Sequence, residues 1–157
     1  MKAILASTFA ALALAACAPE APKTVAAPAA PPPPVCKSAP TELTTQDLEP
    51  GTGDTVRFRS AALVSYTGWL YDGCAKDLKG AQFDTSEGRP TPFGFIVGAG
   101  RVIRGWDEGV IGMKEGGKRL LVIPPDKAYG LNGSPPRIPP NATLVFEVSV
   151  VKIVAQP

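Results

Sequence analysis

Apolar and polar residues alternate along several stretches of the chain, with the two-residue period that puts every second side chain on one face of a β-strand. The longest such stretch covers residues 55–71, where one face carries Val64, Tyr66, Gly68 and Leu70. Shorter stretches predict strands at residues 93–97, 118–123 and 143–154. This pattern indicates a folded part that is mainly β.

One segment has a helical pattern instead. Between residues 100 and 112, Ile103, Trp106 and Val110 follow one another at intervals of three and four, which places them on one face of an α-helix. The glycine pair at 116 and 117 prevents the helix from continuing. We therefore expect one short helix among the strands.

The N-terminus has the pattern of a secretory signal. Lys2 is followed by a run of apolar and small residues from 3 to 14, which is too short to span a bilayer. The segment Leu-Ala-Ala-Cys at 14–17 resembles the lipobox of bacterial lipoproteins, so residues 1–16 are predicted to be a lipoprotein signal peptide and Cys17 the site of lipid attachment. Ordinary cleavage at the small residues around Ala16 is the alternative.

A linker rich in proline and alanine follows Cys17. Residues 18–35 contain seven prolines and six alanines, a composition that favours an extended polyproline II chain and cannot bury a core. We interpret residues 17–35 as a lipidated cysteine and a spacer, and residues 36–157 as the folded domain. A docking site for proline-binding modules is the alternative for the linker.

The remaining cysteines, Cys36 and Cys74, form an even pair. In the oxidising compartment that a signal peptide implies, a disulfide between them would form and persist. The sequence does not say whether their Cα atoms come within reach of each other.

Composition excludes several classes of function. The chain contains no histidine, so Ser-His-Asp and Cys-His catalytic sites and histidine-ligated metal sites are ruled out. Its formal net charge is +2 with scattered Lys and Arg, so we expect no nucleic-acid partner.

Five short motifs carry a resemblance to a known family. They are Val-Ser-Tyr-Thr-Gly at 64–68, Gln-Phe-Asp-Thr-Ser at 82–86, Val-Ile-Arg-Gly-Trp at 102–106, Ala-Tyr-Gly at 128–130 and Ala-Thr-Leu-Val-Phe at 142–146. Together they resemble the FKBP-type peptidyl-prolyl isomerases over nearly all of residues 41–157. The resemblance implies an α+β fold, in which an antiparallel β-sheet wraps around one short α-helix. Residues 74–82 would be a polar loop inserted ahead of Phe83.

The resemblance also implies a binding pocket for proline. Trp106 would form its floor, and the walls would come from Tyr66, Phe83, Phe93, Val102, Ile103 and Phe146, with Ile138 nearby. The Tyr129 hydroxyl and the backbone N–H of Ile103 would each bind a substrate carbonyl. Asp84 would accept a hydrogen bond from Tyr66 and pair with Arg89, and both Arg89 and Ile138 are also expected to bind substrate. Phe58 and Phe95 are expected to be ordinary core residues.

Three positions depart from the family pattern. Ser134 and Arg137 stand where members often have histidine and an aliphatic residue, and Arg101 stands where an acidic residue is common. The floor and walls are unaffected. The departures predict different preferences for the residues that flank the substrate proline.

Such a pocket needs no nucleophile and no cofactor. The prolyl amide is planar because of resonance, which is lost when the bond twists, so the transition state is less polar than either isomer. An apolar pocket removes water and thereby favours the twisted form.

We expect a monomeric isomerase that acts on proline-containing unfolded segments. We expect it to be lipid-anchored in the bacterial cell envelope, at the outer membrane facing the periplasm. A peptide-binding chaperone without catalysis and a surface interaction module are the alternatives.

Overall fold

An antiparallel β-sheet with one short helix packed against it makes up the fold in a computed structural model, which describes residues 36–154. The elements are β1 (Thr44–Glu49), β2 (Ala61–Tyr71), β3 (Lys79–Thr85), β4 (Phe93–Ile96), α1 (Arg104–Gly109), β5 (Lys118–Ile123) and β6 (Leu144–Val154). Two short 3₁₀ turns, Pro125–Lys127 and Gly130–Asn132, lie between β5 and β6. This confirms the predicted α+β class.

The two long strands, β2 and β6, form the centre of the sheet. The strand order is β1-β5-β6-β2-β3, and β4 pairs with the first half of β2. In β6 the predicted alternation buries Leu144, Phe146, Val148 and Val150. These side chains and those of β2 form one apolar layer, which the helix covers.

Two glycines let α1 approach the sheet closely. A Cβ atom at Gly105 would lie only 2.3 Å from Cγ2 of Ile123, and one at Gly109 would lie 2.9 Å from Cδ2 of Leu121. Because residues four apart share a helix face, both glycines lie against β5. This close packing holds Trp106, on the same helix, in the interior.

The structure differs from the predicted elements in three places. The strand predicted at 55–71 begins only at Ala61, because a turn precedes it in which Arg59 has a φ of 66°. Phe58 lies in this turn with 62% of its surface exposed, so its prediction as a core residue was wrong, whereas Phe95 is buried as predicted. Strand β1 was not predicted, and β3 begins at Lys79, inside the segment predicted to be a loop.

The beginning of the described chain is fastened to the turn between β2 and β3. Cys36 and Cys74 form a disulfide, with their Cα atoms 4.3 Å apart. Beside it the N–H of Lys37 donates to the Gly73 carbonyl at 2.8 Å, and the Tyr71 hydroxyl donates to the carbonyls of Lys37 and Ser38.

The predicted signal peptide at 1–16, the lipidation site Cys17 and the linker at 17–35 lie outside the described residues. Within residues 36–154, no helix has the length and apolar character needed to cross a membrane.

Candidate functional site

A cavity of about 190 Å³ opens between the sheet and the start of the helix. Its floor is Trp106, which is only 4% exposed. The rings of Tyr66, Phe93 and Phe146 stand at 81°, 83° and 85° to the indole plane, and their centroids lie 5.0, 5.9 and 5.3 Å from the indole centroid. Three rings perpendicular to a buried fourth form a box with an apolar floor and apolar walls.

The sheet positions the walls of this box. Gly68 on β2 lies opposite Phe146 on β6 and Asp84 on β3. A Cβ atom at Gly68 would lie 2.7 Å from Cε1 of Phe146 and 2.8 Å from Cζ of Phe83. The missing side chain therefore makes room for these two rings, which meet edge to face at 5.4 Å.

The segment before the helix contributes Val102 and Ile103 to the cavity. The Ile103 carbonyl accepts a hydrogen bond from the N–H of Trp106 at 2.9 Å, whereas its own N–H meets no acceptor within the described residues. This N–H is available to a substrate carbonyl.

Asp107 holds that segment in place. Its carboxylate accepts hydrogen bonds from the N–H groups of Gly98 at 2.8 Å and Gly100 at 3.0 Å. This role of Asp107 was not predicted, although an acidic residue in the first turn of a helix that follows a glycine-rich turn is a signal for it.

The Asp84 carboxylate is held by three hydrogen bonds. It accepts from the Tyr66 hydroxyl at 2.7 Å, from the N–H of Thr85 at 2.9 Å and from the Arg89 guanidinium at 3.0 Å. Burial, followed by the hydrogen bond to Asp84, raises the pKa of Tyr66 to about 12. The hydroxyl therefore remains a donor at neutral pH, and Asp84 stays oriented towards the cavity that it lines.

Tyr129 lies between the two 3₁₀ turns and lines the opening of the cavity. Burial, and secondarily the charge of Asp84, raises the pKa of this tyrosine. No hydrogen bond within residues 36–154 uses its hydroxyl, so it can donate to a bound ligand.

A second cavity, of about 250 Å³, shares Phe83, Asp84 and Tyr129 with the first. The loop after Tyr129 supplies the rest of its lining, which includes Ser134, Arg137 and Ile138. The Arg137 guanidinium also makes a long hydrogen bond of 3.4 Å to the Phe83 carbonyl.

The structure brings most of the predicted site residues to the first cavity, with two exceptions. Ile138 is a buried residue that lines the second cavity. Arg89, predicted to bind substrate, pairs with Asp84 and lines neither cavity. Arg101 does line the first cavity but was absent from the predicted site. The departure from the family pattern at position 101 was the signal that could have placed it there.

This arrangement can hold a small apolar ring away from water and offer hydrogen bonds to two carbonyl groups beside it. Tyr129 supplies one donor from a hydroxyl, and Ile103 supplies the other from the backbone. The described residues at the cavity include no serine, cysteine or lysine that could act as a nucleophile.

Comparisons with known proteins agree with this geometry. Residues 48–151 match the family described as FKBP-type peptidyl-prolyl cis-trans isomerase. The FK506-binding protein of Neisseria meningitidis serogroup B is 45% identical over 111 residues, which cover 71% of this chain and 95% of that protein. Human peptidyl-prolyl cis-trans isomerase FKBP2 is 52% identical over 90 residues, which cover 57% of this chain and 58% of that protein.

Two solved structures are also similar. A peptidyl-prolyl cis-trans isomerase from Pseudomonas syringae has 34% identity and a TM-score of 0.59, over 72% of this chain and 76% of its own. FkpA from Escherichia coli has 39% identity and a TM-score of 0.62, over 78% of this chain and 53% of its own.

Proposed function

Because this chain belongs to the FKBP-type peptidyl-prolyl cis-trans isomerases, and is therefore an enzyme of that class, we propose that its aromatic cavity accelerates rotation of the X-Pro bond by desolvating it. The planar amide carries partial charges that water stabilises, and rotation by a quarter turn removes them. A cavity that excludes water raises the free energy of the planar states relative to the twisted state. The barrier, about 18–20 kcal/mol in water, is thereby lowered.

The residues of the cavity have different roles in this mechanism. The floor at Trp106 and the walls at Tyr66, Phe93 and Phe146 enclose the proline ring. The Ile103 N–H and the Tyr129 hydroxyl bind carbonyls on either side of the ring and thus fix one part of the chain while the other turns. Asp84, held by Tyr66 and Arg89, directs a fixed carboxylate towards the reacting imide.

The observation that carries this mechanism is the set of three rings perpendicular to the buried indole. Its test is to measure cis-trans exchange of a proline tetrapeptide by NMR, without a coupled protease, for Trp106→Ala and Phe146→Ala. Both should lower kcat/KM by about one to two orders of magnitude, equivalent to about 1.4–2.7 kcal/mol, because water enters the cavity.

Phe58→Ala is the matched control, since Phe58 is exposed and lines neither cavity. Its kcat/KM should equal that of the wild type. A folded Trp106→Ala protein with the wild-type rate would overturn the mechanism, and saturable peptide binding without any rate enhancement in the wild type would favour a non-catalytic peptide-binding chaperone.

We propose further that the enzyme works in the bacterial cell envelope, where it assists folding of proline-containing proteins. The lipobox-like residues at 14–17 and the proline-rich residues at 18–35 support a domain held at a membrane surface by lipid and a spacer. A disulfide at the start of the domain supports an oxidising compartment. Alanine at position 18, rather than aspartate, favours the outer membrane.

The anchor is tested by Cys17→Ala in the full chain, expressed with its signal segment in a bacterium. The variant should move from the detergent phase to the aqueous phase in detergent partitioning. A variant that keeps Cys17 but has Cys36 and Cys74 replaced by serine is the control, and it should remain in the detergent phase. Unchanged partitioning of Cys17→Ala contradicts lipid attachment at this residue.

The folding role is tested with a client whose refolding is limited by proline isomerisation. The wild type should accelerate the slow refolding phase, and Trp106→Ala should not. Equal acceleration by both proteins would contradict a role for the cavity in folding assistance.

A further inference from the structure

The cavity mouth carries unbalanced positive charge. Among the residues that line the two cavities, the fully charged ones are Asp84, Arg101 and Arg137. Asp84 already pairs with Arg89, which lies outside both cavities. This pairing neutralises the acidic group and leaves the two lining arginines uncompensated.

Neither of these arginines has a carboxylate partner in the part of the chain that the structure describes. Within residues 36–154 no ion pair involves Arg101 or Arg137, whereas Arg89, Arg104 and Arg119 each pair with an acidic residue. Both unpaired arginines are exposed. Arg137 has only its long hydrogen bond to the Phe83 carbonyl.

The two arginines line different cavities, Arg101 the first and Arg137 the second. Arg101 directly precedes Val102 and Ile103, so it belongs to the side that offers the Ile103 N–H. Arg137 lies on the loop beyond Tyr129, so it belongs to the side that offers the Tyr129 hydroxyl. Because the two cavities share Phe83, Asp84 and Tyr129, they form one continuous surface. A peptide with proline in the first cavity and its chain running into the second would pass both guanidinium groups.

We propose that this enzyme selects X-Pro segments that carry a carboxylate side chain next to the proline, before it or after it. Arg101 recognises the acidic side chain on one side and Arg137 on the other. The proposal rests on the proposed function, since it requires proline to bind over Trp106. A guanidinium favours a carboxylate through paired N–H donors, and it repels a lysine in the same position.

The selectivity is measurable with a set of matched peptides. One backbone is made with Glu, Gln or Lys directly before the proline, and a second with the same three residues directly after it. Exchange NMR gives kcat/KM for each. At low salt the Glu peptides should exceed the Gln peptides by about 1.4- to 5-fold, the range for exposed ion pairs, and the Lys peptides should fall below Gln. In about 0.5 M NaCl the Glu to Gln ratio should approach one, because salt screens exposed charges.

Variants assign the effect to the two residues. Arg101→Gln and Arg137→Gln should each lower the Glu to Gln ratio at one of the two positions, and the double variant should bring both ratios close to one. The ratio is the readout because it cancels any general change in activity. Arg57→Gln is the matched control, since Arg57 is an exposed arginine that lines neither cavity, and it should keep the wild-type ratios.

Failure of the inference and failure of the proposed function give different results. If the wild type accelerates all six peptides equally, or if the double variant keeps the preference for Glu, the charge selectivity is wrong while catalysis in the cavity stands. If no peptide is accelerated, or if Trp106→Ala keeps the wild-type rates and ratios, proline does not react over Trp106 and the selectivity loses its basis as well.

Discussion

Asp84 and Tyr129 both lie at the cavity, but their removal should have different consequences. Asp84→Ala deletes the acceptor of three hydrogen bonds, which frees Tyr66 and Arg89 to move, so we expect kcat/KM to fall about tenfold and the free energy of unfolding to fall by about 1.5–3 kcal/mol. Tyr129→Phe deletes one hydrogen bond to substrate and keeps the ring, which should cost about 1 kcal/mol, or about fivefold in kcat/KM, with unchanged stability. Chemical denaturation and exchange NMR on both variants check this, and a larger activity loss in Tyr129→Phe than in Asp84→Ala would contradict it.

The two tyrosines also determine the expected pH dependence. Since the pKa of Tyr66 is raised to about 12 and that of Tyr129 is raised from its usual value of 10, both hydroxyls stay protonated between pH 6 and 8. The chain has no histidine that could titrate there. We therefore expect kcat/KM to be nearly constant over this interval, and a bell-shaped profile would contradict catalysis by desolvation.

Above pH 10 the raised pKa of Tyr66 should make the free energy of unfolding fall as the pH rises. An unfolded chain loses the Tyr66 proton near pH 10, whereas the folded chain keeps it to about pH 12, so folding holds the proton more tightly. The contribution of Tyr66 to stability is thus fully present below pH 10 and is lost as the pH rises from 10 to 12.

At the scale of elements, the contact between α1 and β5 should be sensitive to the addition of a single methyl group. A methyl group at Gly105 would collide with Ile123, so Gly105→Ala should displace the helix, destabilise the protein by about 1–3 kcal/mol and disturb the Trp106 floor. Arg104→Ala on the same helix is the control, since its exposed side chain makes only a surface pair with Glu108 and should contribute less than about 0.5 kcal/mol. Thermal melting of both variants tests this, and equal melting temperatures would show that the helix can shift without cost.

The elements that sequence reasoning found and missed differ in how much apolar surface they bury. Strands β5 and β6 and the helix each bury several apolar or small residues, and their positions were predicted to within a few residues. Strand β1 is exposed along its whole length, so it has no apolar period and its existence depends on pairing with β5. The strand predicted to begin at residue 55 begins later because Arg59 has a left-handed backbone conformation, which forms a turn. The spacing of apolar residues does not reveal such a conformation.

The residues of the candidate site also divide into those that the sequence predicts and those that it does not. Its aromatic residues were found because several of them recur together in recognisable motifs. Asp107 and Arg101 were not found, because their roles depend on which groups the folded chain brings beside them. Partners of this kind are set by tertiary contacts and not by spacing along the sequence.

At the scale of the whole molecule, the disulfide should stabilise the fold without taking part in catalysis. It closes a loop across a sequence separation of 38 residues, for which chain entropy gives about 4 kcal/mol before any strain. Neither cysteine lines a cavity. Reduction, or replacement of Cys36 and Cys74 by serine, should therefore lower the melting temperature and leave kcat/KM at 25 °C within about twofold. Thiol labelling of both residues in non-reduced, denatured protein would show that the bond is absent in solution.

The position of β6 in the sheet determines when the sheet can be completed during synthesis of the chain. β6 is the last strand of the described chain, yet it lies between β5 and β2 in the sheet. A ribosome delivers the chain from its N-terminus, so the two halves of the sheet have no common neighbour until residues 144–154 emerge. The pairing of β6 with β2 joins residues far apart in the sequence, and such long-range pairing is slow, on the order of milliseconds to seconds. Phe146, one wall of the cavity, arrives on that same strand. We therefore expect the sheet and the cavity to be completed together, only after residues 144–154 have been synthesised.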